Sequence, residues 1–174
     1  MRRLILFRHA KSDWPQGVPD RERPLAPRGR HAAPRIAAYL AEQHLTPDLV
    51  LISPARRARE TWEIVAPAFA ETVPAREDER LYEARAQAVL DVVRETEAGV
   101  RTLLVIGHNP GFEDLARVLI GHGDRYAYAR MTHKFPTCGI AVIDFPVEDW
   151  REVAERAGRL DRFVTPKSLG GEGE

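Results

Sequence analysis

Four short, largely apolar runs constrain the fold of this chain more than any other feature of its sequence. They cover residues 4–7, 49–53, 102–106 and 140–145. None of them shows a clean alternation of apolar and polar residues, which is typical of strands buried on both faces of a parallel sheet. Helical patterns lie between them, at about residues 27–44, 54–69, 87–96 and 110–120. This alternation predicts an α/β fold: a mostly parallel central sheet with helices on both faces, in three α/β/α layers.

The length of 174 residues and the absence of repeats or linkers predict a single domain. We place it at residues 1–166, ending with a strand at about 159–164, and expect the Gly- and Glu-rich residues 167–174 to form a flexible tail. Pro34 lies inside the first helical pattern, where a missing N–H and a clashing ring predict a kink or a split.

Composition restricts the functions that the chain can have. The 26 basic and 26 acidic side chains give a formal net charge of +0, which argues against a general binder of nucleic acid or of anionic membranes. Cys138 is the single cysteine, so no intrachain disulfide can form. No run resembles a signal peptide or approaches the roughly 18 apolar residues of a membrane span. These features predict a cytoplasmic location; they give no oligomeric state, and a monomer is compatible with them.

Two helix starts are marked by polar residues followed by proline. Ser53 and Pro54 follow the second apolar run, and Asn109 and Pro110 follow the third. Both pairs fit an N-cap followed by proline at the first helical position. In open α/β sheets ligands bind outside the carboxyl ends of the strands, where helix N-termini offer free N–H groups. We therefore expect a site at this edge of the sheet.

Basic residues from three separate segments converge on that edge. Arg8 and His9 follow the first run, Arg57 follows the second and His108 follows the third. The planar guanidinium of arginine binds phosphate oxygens through two hydrogen bonds and stays charged. A neutral histidine offers a nucleophilic nitrogen. A second, protonated histidine would stabilise the charge that develops during transfer. The pattern indicates a site for a phosphoryl dianion.

Other phosphate and ester chemistries lack their motifs. A cysteine phosphatase needs an arginine six positions after Cys138, where Asp144 stands. The sequence has no P-loop motif, and in "GHNPG" Asn109 stands where a hydrolase would carry its serine. The strand ends offer few carboxylates for a pair of metal ions. Metal-free histidine chemistry remains.

Several motifs then resemble those of the histidine phosphatase superfamily, and within it the small phosphohistidine phosphatases of the SixA type. "FRHA" is similar to the family's Arg-His-Gly motif, with Ala10 in place of glycine. "SPARRARET" aligns Arg57, and not Arg56, with the phosphate-binding arginine. "VIGHNPG" supplies the second histidine, His108, and "RPLAPRG" places Arg23 near the phosphate.

The resemblance implies a role for each matched residue. His9 would be the nucleophile, phosphorylated and then hydrolysed, Arg8 and Arg57 would bind the phosphoryl oxygens, and His108 would complete the pocket. Neither a metal nor a cofactor is implied. Three further roles are implied less directly: Glu83 as the acid that protonates the leaving group, and Arg23 and Asn109 as phosphate ligands. A solvated Glu83 at a helix start is an equally good interpretation.

Taken together, these features predict a cofactor-independent phosphatase that works through a phosphohistidine intermediate. Its substrate would be phosphohistidine on a protein, because the short connections, including a loop at residues 122–136, leave no room for a lid. Two alternatives are an enzyme for small phosphorylated metabolites, either a phosphomonoesterase or a phosphoglycerate mutase, and a non-catalytic phosphate-binding domain. We also expect Lys11 and Trp14 to flank the substrate, and His31, His44, His122 and His133 to bind no ligand.

Overall fold

The structure is a computed structural model in which residues 1–170 are described. Its strands are β1 (Arg2–Arg8), β2 (Leu49–Ile52), β3 (Ala75–Glu77), β4 (Thr102–Gly107), β5 (Ile120–Gly123), β6 (Ile140–Phe145) and β7 (Gly158–Val164). Its α-helices are α1 (Pro27–Glu42), α2 (Arg56–Val65), α3 (Ala86–Arg94), α4 (Gly111–Leu119) and α5 (Arg125–His133). Short 3-10 turns lie between them, including Asp20–Glu22 and Lys167–Leu169.

The strands form one sheet in the order β3-β2-β4-β1-β6-β7-β5. β6 runs antiparallel to both of its neighbours, and the remaining pairings are parallel. The carboxyl ends of β2, β4 and β1 therefore lie side by side at one edge, as the apolar runs predict. This edge holds the segments that follow each of those strands.

Successive side chains of the central strands pack alternately into two separate apolar cores, one on each face of the sheet. In β1, Leu4 and Leu6 face the core covered by α3, α4 and α5, whereas Ile5 and Phe7 face the core covered by α1 and α2. All four side chains are fully buried, so the strand tolerates no polar position between them. The predicted three-layer α/β/α fold with a mostly parallel sheet is confirmed.

The expectation of a loop at residues 122–136 is wrong, because β5 ends there and α5 follows. Asp124 caps α5 by accepting a hydrogen bond from the backbone N–H of Ala127. Only Ala127 and Met131 of this helix are buried. The apolar pattern was too sparse to indicate a helix, and the cap and the packing on the sheet determine it instead. The expected last strand is confirmed as β7.

Pro34 does not split α1, which continues from Pro27 to Glu42. Pro34 itself is exposed, while Ala33, Ile36 and Ala37 on either side of it are buried against the sheet. Tertiary burial of this face therefore outweighs the one backbone hydrogen bond that proline removes.

The described part of the chain also bears on the predicted tail and on membrane insertion. Residues 167–169 of the expected tail form a 3-10 turn, and residues 171–174 lie outside the described residues. No helix within residues 1–170 is long and apolar enough to cross a bilayer.

Candidate active site

A pocket of about 270 Å³ opens at the carboxyl edge of β1, β2 and β4. Arg8 ends β1, His9 follows it, His108 follows β4, and Arg57 lies in the first turn of α2. The structure thus brings the predicted site residues into one place. The pocket is lined by Arg8, His9, Lys11, Ser12, Trp14, Asp20, Arg23, Arg57, Glu83, His108, Asn109 and Thr137.

The imidazole of His9 is fixed in the tautomer that a nucleophile needs. Its Nδ1 lies 2.8 Å from the carbonyl oxygen of Ala10. A carbonyl only accepts hydrogen bonds, so Nδ1 carries the proton and Nε2 carries the lone pair. Burial lowers the pKa of His9 well below its ordinary value of 6.5, and His108, Arg57 and Arg8 lower it further against that hydrogen bond. His9 is therefore neutral at physiological pH.

Backbone contacts hold the segment after His9 tightly. The N–H of Ala10 donates to Thr61 Oγ1 at 3.0 Å, and this hydroxyl donates to the carbonyl of Arg57 at 2.7 Å. Thr61, the threonine of the "SPARRARET" motif, thus ties the nucleophile segment to the helix that carries Arg57. On the other side, a Cβ at Gly29 would lie 2.2 Å from the carbonyl oxygen of Lys11, so α1 approaches this segment as only glycine allows.

Ser53 contacts the second histidine and does not cap a helix, contrary to the expectation from sequence. Helix α2 begins at Arg56 with Ala55 at its N-cap. Ser53 Oγ lies 2.6 Å from His108 Nε2 and accepts a longer hydrogen bond, 3.3 Å, from the N–H of Ala55. The buried hydroxyl therefore orients His108 through Nε2 and leaves Nδ1 facing Arg57, whose Nη2 lies 3.5 Å away.

His108 is neutral in this pocket, and its expected protonation against a phosphoryl dianion stays a prediction. Burial lowers the pKa of His108 to about 4, and the charge of Arg57 contributes in the same direction although Asp20 opposes it. Since arginine donates and cannot accept, the contact with Arg57 requires a lone pair on His108 Nδ1. Protonation of His108 Nδ1 therefore requires an additional negative charge in the pocket.

We expect neither histidine to gain a proton when the pH falls from 7.5 to 6.5. Titration followed by NMR of the ring protons should show a midpoint near 4 for His108 and a midpoint well below 6.5 for His9. Because the unfolded chain binds these protons below about 6.5, the free energy of unfolding should fall as the pH drops from there toward 4. A midpoint at or above 6.5 for either ring would contradict the assignment.

Arg57 lines the pocket and Arg56 does not, which is the arrangement that the predicted register requires. The side chain of Arg57 is 5% exposed, against 45% for Arg56. Arg57 donates through Nη1 to the backbone carbonyl of Asp20 at 2.8 Å and through Nη2 to its carboxylate at 3.2 Å. Arg56 pairs instead with Glu60, one helical turn away.

Asp20 is a site residue that sequence reasoning missed. Its carboxylate accepts hydrogen bonds from Arg57, from Arg23 at 3.0 Å and from the hydroxyl of Tyr82. Burial opposes its ionisation, but these hydrogen bonds and the charge of Arg57 hold the pKa of Asp20 well below its usual range. The anion of Asp20 thus fixes the orientation of both arginines. Its position three residues before Arg23 was the available signal.

Arg23 is buried beside the pocket and is already bound by protein groups. It donates to Ser12 Oγ at 2.6 Å and to the carbonyl of Asp13 at 3.0 Å, besides Asp20. Its guanidinium carbon lies 3.2 Å from the ring centroid of Trp14. This arrangement places Arg23 near the phosphate position, and its role as a ligand stays a prediction.

Asn109 and Glu83 also reach the pocket. Helix α4 begins at Gly111, so Asn109 is not its N-cap. The side chain of Asn109 accepts a hydrogen bond from the N–H of Glu113 through Oδ1 and donates one to the carbonyl of Phe135 through Nδ2. The same carbonyl also accepts a hydrogen bond from Arg8. Glu83 is exposed at the rim with a φ of 48°, before α3 begins. The roles of Asn109 as phosphate ligand and of Glu83 as acid stay predictions.

A sheet edge that gathers two neutral histidines and oriented arginines is the framework of a phosphoryl-transfer site, and comparisons with known proteins agree. The family model of the histidine phosphatase superfamily (branch 1) matches residues 4–87. The chain is 39% identical over 166 residues to an uncharacterized protein of Mycobacterium tuberculosis, covering 92% of this chain and 100% of that one. We conclude that the chain belongs to the histidine phosphatase superfamily.

Solved structures give the same result. A protein of Agrobacterium tumefaciens, provisionally assigned as the phosphohistidine phosphatase SixA, is similar with a TM-score of 0.80 and 31% identity. The match covers 95% of this chain and 98% of that chain. A protein of Nakamurella multipartita with the same provisional assignment has a TM-score of 0.81 and 26% identity, covering 95% of this chain and 96% of that chain. The chain therefore has the phosphoglycerate mutase-like fold of the family.

Proposed function

We propose that the chain is a phosphohistidine phosphatase that works through a phosphorylated His9. The neutral, buried imidazole of His9, held by the carbonyl of Ala10 so that Nε2 keeps its lone pair, carries this proposal. A scaffold that only binds phosphate has no need for such a nucleophile. The family membership supports phosphatase activity, and the SixA-like structures support the choice of substrate class.

In the first step Nε2 of His9 attacks phosphorus, and the bond from phosphorus to the leaving group breaks as the P–N bond forms. Arg8 and Arg57 offer fixed positive charge to the phosphoryl oxygens. The oxygen that lies next to His108 brings the negative charge that favours protonation of Nδ1, and the resulting N–H can then donate to it. Ser53 keeps the ring in place during this change through Nε2.

In the second step water attacks phosphorus, the P–N bond breaks, and His9 returns to the neutral state with release of phosphate. We assign to Glu83, which lines the pocket, the exchange of a proton with the leaving group and later with water. Asp20 lines the same pocket, but its bonds to arginine hold it ionised and unsuited to donate a proton. Phosphohistidine makes little demand on an acid, since a protonated imidazole leaves readily.

The exposed rim of the pocket supports a protein as the carrier of the phosphoryl group. Trp14 lines the pocket, and 72% of its surface is exposed although its ring packs on Arg23. Exposed aromatic rings beside arginines are common at protein contact surfaces. A phosphohistidine side chain that projects from another protein can reach His9 past this rim.

The substrate class is tested by comparing kcat/KM for a phosphohistidine protein with values for phosphoserine peptides, sugar phosphates and phosphoglycerate. We expect the phosphohistidine protein to be preferred by about a hundredfold or more, a difference of about 2.7 kcal/mol in transition-state binding. A small metabolite that wins by this factor would replace the proposal with a metabolic phosphatase. Interconversion of phosphoglycerates without net release of phosphate would replace it with a mutase.

We also predict that turnover requires no metal ion. Among residues 1–170 no group of three or more His, Cys, Asp and Glu side chains is arranged to hold one. The arginines provide the positive charge that a metal would otherwise bring. Release of phosphate from an aryl phosphate should continue at an unchanged rate after exhaustive dialysis against EDTA. Loss of activity that a divalent ion restores would contradict this prediction.

A further inference from the structure

A second, larger cavity of about 520 Å³ adjoins the catalytic pocket. Lys11 and Thr137 line both cavities, so the two are continuous at the surface. The second cavity lies between α1, the end of α5 and the segment after β7. We call it the basic cavity because of its cationic lining, which consists of Lys11, Arg28, Arg35, Arg130, Lys134 and Lys167.

Three cations of the basic cavity have no acidic partner within the described residues. Among residues 1–170 no carboxylate lines this cavity, and Lys11, Arg28 and Lys167 form no ion pair. Arg35 and Arg130 donate to the backbone carbonyls of Leu169 and Phe163, which carry no net charge. A chain of net charge +0 thus concentrates positive potential at one wall of its active site.

Some arginines elsewhere on the surface, unlike these three cations, form ion pairs with carboxylates. Arg80 contacts both Asp78 and Glu95, and Arg76 contacts Glu97. Lys11, Arg28 and Lys167 lie beside a catalytic pocket without an acidic partner among residues 1–170, which points to an anion that comes from outside.

The spacing of the cations fits a series of separate anionic groups. Arg28 and Arg35 lie seven positions apart on α1, about 10 Å along the helix axis, with His31 between them. Arg130 and His133 lie on the facing element, α5. A single phosphate needs donors that converge on one point, whereas these donors lie on two separate helices and are spread along the first of them. An extended peptide, which advances about 3.3–3.6 Å per residue, covers this distance in about three residues and can present several carboxylates along it.

The basic cavity, which we also call the groove, has an apolar part to its lining. Phe163, Pro136, Pro166 and the buried Cys138 line it beneath the cations. Such a surface accepts the methylene groups of Glu side chains and the peptide backbone between them. Charged walls with an apolar floor suit an acidic peptide segment better than a compact inorganic anion.

We propose that the basic cavity binds an acidic segment of the protein substrate, next to the phosphohistidine that enters the catalytic pocket. This inference rests on the proposed function and specifies its substrate: a phosphohistidine flanked in sequence or in space by Asp and Glu. Lys11 lies at the junction of the two cavities, between the phosphoryl group and the first of these carboxylates.

The test uses two synthetic phosphohistidine peptides, identical except that Asp and Glu flank the phosphohistidine in one and Lys in the other. At low ionic strength we expect the wild-type chain to prefer the acidic peptide in kcat/KM by about tenfold or more, and added salt to reduce that preference. Anisotropy of the unphosphorylated, fluorescently labelled peptides measures the same preference as binding alone.

Charge reversal in the groove provides the decisive variant. Arg28→Glu combined with Lys167→Glu changes two exposed side chains that have no partner within the described residues, so folding should be unaffected. The preference for the acidic peptide should disappear, while turnover of a small aryl phosphate is unchanged. Arg125→Glu with Arg151→Glu makes the same change in charge at exposed positions outside both cavities and should keep the preference.

The outcomes separate the inference from the proposed function. Hydrolysis of both peptides at equal rates with equal binding would overturn the acidic-segment inference and leave the phosphohistidine activity intact. Preferential binding of the acidic peptide without hydrolysis of either phosphopeptide would support the groove and overturn the proposed substrate. Competition by pyrophosphate at the groove, with no discrimination between the peptides, would overturn the inference in favour of a small polyanion.

Discussion

Replacement of His9 by alanine is expected to reduce kcat for phosphate release by at least about 10⁴-fold, because no other group in the pocket offers a neutral, correctly protonated nitrogen. His108 cannot take over, since its Nε2 is committed to Ser53 and its Nδ1 faces Arg57. Residual activity should reflect only the arginines acting on a bound phosphate ester. The measurement is a steady-state assay with an aryl phosphate, supported by thermal unfolding to show that the variant is folded.

His122→Ala is the matched control for this prediction. His122 lies exposed on β5 and lines neither cavity. Its removal should leave kcat and KM within about twofold of the wild type, since surface substitutions away from a site have small effects. A His9→Ala variant that retains more than about a tenth of the activity would show that the nucleophile lies elsewhere.

Replacement of Arg57 by alanine is expected to lower kcat/KM by about 10²–10³-fold, the usual effect of removing one preorganised contact to developing charge. The change also leaves the carboxylate of Asp20 without one of its hydrogen-bond donors, so Tm should be recorded alongside the kinetics. Arg57→Lys keeps the charge but loses the planar fork and should recover only part of the rate.

Arg56→Ala is the neighbouring control, because it removes the same side chain one position away. Arg56 is exposed and pairs with Glu60, so its loss should change kcat/KM by less than about threefold. If Arg56→Ala proved as damaging as Arg57→Ala, the assignment of the phosphate-binding arginine would have to be abandoned.

The sequence predicted the fold and the position of the site because both depend on strong local patterns. Apolar runs such as Leu4–Phe7 are buried on both faces wherever they occur in this sheet, and a residue that follows a parallel strand has only one edge to occupy. The inward direction of Arg57 was implied by the resemblance of "SPARRARET" to the motif of the family. These predictions needed no information about distant contacts.

Two features of the site that the sequence did not reveal concern interactions between segments distant in the sequence. Ser53 has the residue type of an N-cap, but the proximity of His108, which is 55 positions away, gives its hydroxyl another partner. The pairing of Asp20 with Arg57 spans 37 positions and has no periodicity to reveal it.

The central claim, that the phosphoryl group passes through His9, is tested most directly by trapping the phosphoenzyme. Brief reaction with a labelled phosphohistidine protein, followed by alkaline quench and mass spectrometry of peptides, should locate acid-labile, base-stable phosphate on Nε2 of His9. The label should disappear during a chase with unlabelled substrate, at a rate no slower than kcat. Phosphate that maps to another residue, or turnover with no phosphorylated intermediate on His9, would contradict the mechanism.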